Sequence, residues 1–313
     1  MKNNNSKDQQ PIDAVILWVD GGDERHKEKI LPYLTDKKEI KNKKFRTRFD
    51  QVNEIQFTID SILKFASYIR HIYIITDEQT PDFLKNKNDT YSKVKIIDHS
   101  VIFAGYEEHL PVFNCRPIES CIFRIPDLAE HFIYFNDDFF LINQTNPEDF
   151  FKDGFPVLRG KWLKFDSDLF YKKFKKERIG HKNAQQKAAQ LIGFKNYYNF
   201  KHTPHPLRKS TFEHYFNNNQ AVFLENIRHK FRNNNQFTPQ GLANHIEIKN
   251  KTCVLKEDLQ LMYFRSFKKP LFWYKFKLNI QSKEKLFLGL QSLDICPEPV
   301  LNYLLSWLEN RTK

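Results

Sequence analysis

Residues 131–142 read HFIYFNDDFFLI, an aromatic and aliphatic run interrupted at Asn136-Asp137-Asp138. A run this short, rich in Phe, Tyr and Ile and without helical spacing, predicts a buried strand. Ionised aspartate is costly to bury unless it is paired, hydrogen-bonded or bound to a metal, so two adjacent carboxylates inside a core-forming segment need a cause. The simplest is a strand that ends at Asn136 and presents Asp137 and Asp138 at its carboxyl edge to a divalent cation, Mg²⁺ or Mn²⁺, both of which favour carboxylate oxygen. An Asp-rich turn is the plain alternative. Against a simple turn, Phe139, Phe140, Leu141 and Ile142 resume the apolar run at once.

A strand that closes on an acid recurs upstream. Ile12 to Val19 reads as a fully buried first strand and runs into Asp20-Gly21-Gly22-Asp23. Ile69 to Thr76 ends at Asp77, and Val94 to Ile97 ends at Asp98-His99. Between them, apolar residues at 59, 62, 63 and 65 have helical spacing, and Pro81-Asp82-Phe83-Leu84 starts a short helix. This order predicts an α/β fold: a mainly parallel sheet with Rossmann-like winding and helices on both faces. Ligands of such sheets bind at the carboxyl ends of strands, and a Gly-Gly pair lets backbone amides approach a phosphate. Asp20, Gly21 and Gly22 are therefore candidates, although each alone is as consistent with an ordinary turn.

Residues 24–44 are charged and read as helical, with Pro32 as a break. Leu110 to Asn114 is a rigid turn before a helix from Pro117 to Phe123, and beyond Phe150 the pattern loosens into a basic, aromatic stretch over 155–182 that reads as an insertion or lid. A helix over 184–192 precedes His202-Thr203-Pro204-His205-Pro206, where two prolines stiffen a loop carrying two imidazoles. A histidine held rigidly near its working pKa is a general-base candidate; an exposed Pro turn is the bland reading. Residues 213–217 and 221–225 read as helical, and Arg228 to Arg232 is a basic cluster, either a phosphate clamp or a solvated helix end. After Cys253, basic and aromatic residues alternate through Tyr263-Phe264-Arg265 and Phe272-Trp273-Tyr274, a pattern that either packs a small subdomain or meets a membrane interface. Pro299 to Leu308 is an amphipathic helix. The expected organisation is a disordered leader over 1–11, a main domain over 12–250 and a mostly helical, basic-aromatic part over 251–313.

At 40% hydrophobic and 15% aromatic, the chain is not a disordered one. It has no run of about 20 apolar residues and no apolar segment at the N-terminus, which places it in the cytoplasm. The net charge of +12 is spread through 84–88, 171–178 and 265–270. That spread suits a generic basic surface or peripheral contact with an anionic inner membrane better than a nucleic-acid module. Four cysteines without CxxC spacing indicate neither a disulfide framework nor a zinc site.

Taken together, several segments resemble one family. IDAVILWVDGGD is similar to the first signature of the Stealth proteins, the bacterial capsular-polysaccharide phosphotransferases related to the animal N-acetylglucosamine-1-phosphotransferase. NEIQFTIDSILKFASYIRHIYIITDEQTPDFL, VKIIDHS, LPVFNCRPIES and HFIYFNDDFFL resemble the long second signature, and HTPHPLRKS followed by HKFRNNNQF the third. The resemblance implies a Rossmann-like nucleotide-sugar transferase core of the GT-A type. It implies transfer of a hexose-1-phosphate from a UDP-sugar to a hydroxyl of a glycan or lipid-linked saccharide, with a divalent cation and release of UMP, in surface polysaccharide synthesis. On the same basis Asp20 lies near the donor, Asn136, Asp137 and Asp138 form the metal or pyrophosphate site, and His202 or His205 is the general base. Arg232 contacts phosphate, and Asn114 and Glu119 organise the pocket.

Two departures stand out. Where the family reads close to E-L-R-Y-S-L-R-S, this chain has Glu54-Ile55-Gln56-Phe57-Thr58-Ile59-Asp60-Ser61, so Gln56 and Asp60 replace arginines, an exchange expected to reverse charge if phosphate is bound there. Where the fourth signature carries Asn-Asp, FLGLQSLD has Gln291-Ser292. Glycosyl transfer with release of UDP, and a non-catalytic sugar-binding relic, are therefore kept as alternatives.

Overall fold

The computed structural model describes residues 10–42, 49, 52–86, 89–168 and 180–313. Positions 1–9 of the expected leader and 169–179 of the expected lid lie outside them. The strands in chain order are β1 (Ile12–Leu17), β2 (Ile69–Thr76), β3 (Val94–Asp98), β4 (His131–Asn136), β5 (Phe139–Leu141), β6 (Phe151–Lys152) and β7 (Phe155–Arg159). They continue with β8 (Lys161–Lys164), β9 (Asn196–Asn199), β10 (His205–Arg208), β11 (Val254–Lys256), β12 (Leu261–Phe264) and β13 (Phe287–Leu290).

The central sheet has the order β10-β4-β1-β2-β3. β4, β1, β2 and β3 run parallel, and β10 closes one edge antiparallel to β4. Side chains alternate between the sheet faces with the two-residue period of a strand. Ile12, Ala14 and Ile16 of β1, Ile72 and Ile74 of β2, and Ile133 and Phe135 of β4 pack with Ile55, Ile59 and Ile62 of the helix Glu54–Phe65. The intervening Val15, Tyr73, Ile75, Phe132 and Tyr134 join a second core with residues of the helices Cys115–Cys121, Lys209–Asn218, Gln220–Ile227 and Pro239–Asn250. Burial on both faces makes these strands near-continuous apolar runs, which is the mainly parallel α/β architecture the sequence predicts.

The C-terminal residues build a third core from the helices Leu271–Gln281 and Glu298–Thr312 and the short strands β12 and β13. It is continuous with the first part through β5: β13 pairs antiparallel with β5 and parallel with β12. Leu141 of β5 joins the core beneath the helix Glu54–Phe65, whereas Phe140 and Ile142 enter the C-terminal core.

One buried carboxylate ties the central strands together. Asp13 is fully buried and accepts from Arg70 Nε (2.9 Å) and Nη2 (2.6 Å), from His71 N (3.1 Å) and from Ala129 N (2.7 Å). Deleting it would orphan two backbone amides and strip two hydrogen bonds from Arg70 at once. Asp13→Ala is expected to cost about 3 kcal/mol in urea unfolding, and a loss under about 1 kcal/mol would show that this carboxylate does not tie the strands.

Candidate functional site at the carboxyl edge of β4

β4 ends at Asn136, as its sequence predicts, and Asp137-Asp138 form the two-residue turn into β5. The turn is held by its backbone: Asp137 O accepts from Thr58 Oγ1 (2.6 Å) and Asp138 O from Leu290 N (3.1 Å). No lysine or arginine forms an ion pair with either carboxylate among the described residues. Burial raises Asp137 to about 6, and burial together with the charges of Asp137 and Glu54 holds Asp138 well above the usual carboxylate range. Glu54 opens the helix Glu54–Phe65; burial, then the charge of Asp137 and more weakly that of Asp294, push it up to about 7. Four acids from three distant parts of the chain thus share one low-dielectric region.

A row of basic and imidazole groups lies beside them. The His181 and His202 rings are 4.3 Å apart, and His202 also faces Phe139 at 6.4 Å and Tyr263 at 5.8 Å, one residue and one ring away from Asp138. Tyr263 in turn donates to Gln291 Oε1 (2.7 Å), so the Gln291-Ser292 departure falls at the site. Burial first, then Arg265, Arg232 and Lys201, depress His202 to about 4. Burial and His202 take His205 to about 3, and burial with His202, His205, Arg116 and Arg232 takes His181 well below its ordinary value. Burial thus disfavours the charged form of all three imidazoles.

The arginines are placed by the loop 228–236. Lys230 Nζ donates to His109 O and Leu110 O (2.8 Å each), and Phe113 N donates to Lys230 O (2.9 Å), which docks the loop on the 109–114 turn. Arg232 then reaches Cys115 Sγ (3.7 Å) and lies close to Glu119 and Tyr134, with Tyr134 Oη donating to Glu119 Oε1 (2.9 Å). Asn114 caps the helix Cys115–Cys121 by accepting from Arg116 N and donates to Gln236 Oε1 (2.7 Å). Arg116 is buried and bridges Asn233 O (3.0 Å) to Gly180 O (3.1 Å), so it fixes the Arg232 loop against the start of the helix His181–Leu191.

Asp20 leaves β1 at the same sheet edge, because Leu17 pairs with Asn136. Its polar neighbours differ from those of the acid pair. Gln79 bonds the Asp20 backbone on both sides (N to Oε1 2.9 Å, Nε2 to O 3.0 Å) and also Asp23 Oδ2 (3.1 Å). The two glycine amides expected to approach a phosphate are engaged within the chain: Gly21 N donates to Phe49 O (2.9 Å) and Gly22 N to Asp20 Oδ1 (2.8 Å). Gly21 is required by close approach instead, since a Cβ there would stand 2.5 Å from Phe49 Cβ.

Two expectations change. His205 is not in a loop: it begins β10, opposite Tyr134, and Pro206 is tolerated because β10 is an edge strand. Gln56 and Asp60 lie apart from the acid pair, where the charge exchange was expected to act. Both bond Tyr91 Oη (3.3 and 3.0 Å), on the face of their helix opposite Glu54, Thr58 and Ser61. Sequence reasoning missed Glu54, Asp294, His181, Tyr263, Arg265 and Arg116; of these, Glu54, Arg116 and Asp294 stood inside quoted signature segments.

An open, mainly parallel sheet with acids, imidazoles and guanidinium groups gathered at its carboxyl edge defines a Rossmann-like α/β protein with its site at the strand ends. The family model described as Stealth protein CR2, conserved region 2, matches residues 48–159. The exopolysaccharide phosphotransferase cps2G of Lactiplantibacillus plantarum is 34% identical over 253 residues, 72% of each chain. The capsular polysaccharide phosphotransferase cps1A of Actinobacillus pleuropneumoniae is 32% identical over 241 residues, 74% of this chain and 63% of its own length. Among solved structures, the galactosyltransferase LgtC in complex with donor and acceptor sugar analogues aligns over 96% of this chain and 95% of its own, at 10% identity and a TM-score of 0.46. The chain belongs to the Stealth family.

Histidines neutral in the fold take up protons on unfolding below pH 6.5, so they lower stability as pH falls from 6.5 toward 4. The raised acids act oppositely and lower it as pH rises through about 6 to 7. His205→Gln is therefore expected to flatten the acid side of the stability profile by about one proton, about 1.4 kcal/mol per pH unit, in urea midpoints between pH 6.5 and 4.5. An unchanged slope would place a charged imidazole at His205.

Proposed function

We propose that the protein transfers a hexose-1-phosphate from a UDP-sugar to a hydroxyl of a glycan or lipid-linked saccharide, releasing UMP, in the synthesis of a bacterial surface polysaccharide. The observation that carries this reading is the juxtaposition, at one strand end, of acids that burial leaves in need of positive charge and of guanidinium groups and imidazoles suited to an anion. A diphosphate with a bound cation answers both needs. The relatives named as capsular and exopolysaccharide phosphotransferases support the same reaction class.

The acid pair fits Mg²⁺ or Mn²⁺ by donor type, and two carboxylates completed by water and phosphate oxygens is a common arrangement for such ions. Among the described residues no three His, Cys, Asp or Glu side chains gather as a cage. Asp137 and Asp138 would hold the ion, which when bound supplies neutralisation of diphosphate charge. Arg232 and Arg265 offset charge on the transferring phosphoryl group, and Asp20 is assigned to the nucleoside end. His202 takes the proton of the acceptor hydroxyl. The acceptor oxygen attacks the β-phosphorus, the bond from that phosphorus to the bridging oxygen breaks, and UMP leaves with the electron pair. An anionic donor beside His202 raises its pKa from about 4 toward the working range, so base strength arrives with substrate.

Because Gln56 and Asp60 face Tyr91, their departure from the family pattern lends no support to glycosyl transfer. Incubation with UDP-sugars, Mn²⁺ and a saccharide acceptor is expected to yield UMP; UDP as the sole nucleotide would overturn the proposal. His202→Ala and Asp137→Asn should each slow the reaction by about 10²- to 10⁴-fold while retaining a cooperative thermal transition. Full activity in either would remove that residue from its role.

A further inference from the structure

The helix Leu271–Gln281 has two apolar faces, and only one of them is covered. Tyr274 and Leu278 are buried in the C-terminal core, with Leu271 and Trp273 packed against it. On the opposite side, Phe272, Phe276 and Ile280 follow one another at every fourth residue and are 70%, 65% and 54% exposed. At 100° per residue this stripe is centred directly away from the core face. A soluble helix normally turns charge outward, and three large apolar side chains in a row at this exposure mark a surface that meets something.

The surroundings say what it meets. Lys275 and Lys277 flank the stripe on either side, each leaning over aromatic rings: Lys275 over Tyr303 (5.2 Å), Lys277 over Trp273 (4.9 Å) and Phe264 (5.4 Å). Residues 265–285 contain seven Lys and Arg against one acid, Glu284, half of the chain's net charge of +12. A twofold pairing of two copies through this stripe would set their lysines against each other. The stripe also spans only about 12 Å of helix, too little for the roughly 800 Å² per partner of a stable protein interface. An anionic bilayer matches it on both counts, because lipid acyl chains take a narrow apolar ridge while phosphate headgroups pair the basic rim. Tyr303 and Trp307, half-buried on the neighbouring helix, line an open cleft of about 460 Å³ beside Lys275, and rings of this kind suit the headgroup level.

We propose that the helix Leu271–Gln281 is an interfacial membrane anchor that lies flat on an anionic lipid surface, with Phe272, Phe276 and Ile280 inserted and the surrounding lysines on the headgroups. This placement is independent of which bond the site makes. It puts the catalytic part where a lipid-linked saccharide would be presented.

The full chain is tested by co-flotation with phosphatidylcholine vesicles and with vesicles in which a third of the lipid is phosphatidylglycerol. Binding to the anionic vesicles at about 0.1 M salt is expected to exceed binding to the neutral ones at least tenfold, and to weaken severalfold at about 0.5 M salt. The variant Phe272→Ser/Phe276→Ser/Ile280→Ser should lose binding at least tenfold, with activity on a soluble acceptor unchanged. If the triple variant does not melt cooperatively, Phe272→Ser alone must reduce binding at least threefold. The proposal falls if the native chain ignores anionic vesicles, if the serine variant floats as the native chain does, or if light scattering shows a native dimer that the variant dissolves without any vesicle binding.

Discussion

The turn at Asp137-Asp138 is where the chain passes from one hydrophobic core to another, and the site depends on that passage. Upstream, Ile133 and Phe135 face one side of the sheet and Phe132 and Tyr134 the other; downstream, Phe140 and Ile142 enter the C-terminal core. Each of these side chains contributes roughly 1.5–3 kcal/mol by burial, which together outweighs the cost of holding two carboxyls in a poorly solvated turn. Thr58 and β13 fasten the turn through its carbonyls and leave its carboxylates to other work. The C-terminal part is therefore a wall of the site: β13 supports Asp138, and Tyr263 of β12 stands between Asp138 and His202.

The opposite wall is held by buried polar contacts. Arg116 and Lys230 spend their donors on backbone carbonyls, and Asn114, Gln236 and Asn226 bond one another and the loop between them. Arg232 is carried on that loop, and His181 begins the helix that Arg116 anchors at Gly180. A satisfied network of this kind fixes geometry more than it adds stability, since partial loss leaves orphaned buried groups. Asn114, expected to organise the pocket, has both ends of its amide committed within this network.

How much could be read beforehand follows from where the forces lie. β1, β2 and β4 were legible because burial on both faces writes itself as an apolar run, and Asn136 marked the end of β4 because its continuation is acidic. The helix Glu298–Thr312 was legible from its period. His205 was misplaced because two prolines look like a loop, and an antiparallel edge strand that tolerates Pro206 depends on a neighbour, β4, more than 70 residues away. β5, β12 and β13 are three or four residues long and exist only as one another's partners. His181 escaped because nothing local distinguishes it, and Glu54 and Asp294, though within signature segments, escaped because only the tertiary fold makes Glu54 a neighbour of Asp137 and Asp294. The exchange at Gln56 and Asp60 shows the converse, in which a change conspicuous in the sequence falls on the helix face that meets Tyr91 and not on the face of Glu54.

The upward shifts of the acids and the downward shifts of the histidines have one origin. Both classes resist ionisation because the groups are partly withdrawn from water and like groups are neighbours, Glu54 and Asp137 around Asp138, His202 and Arg232 around His181. Were the two clusters interleaved, each carboxylate would meet a cation, Asp138 would fall toward its ordinary value and His202 would rise. Their segregation leaves like groups beside one another on each side, and a ligand of opposite charge relieves each. A diphosphate alone satisfies the basic side and worsens the acidic one, and a cation alone does the reverse.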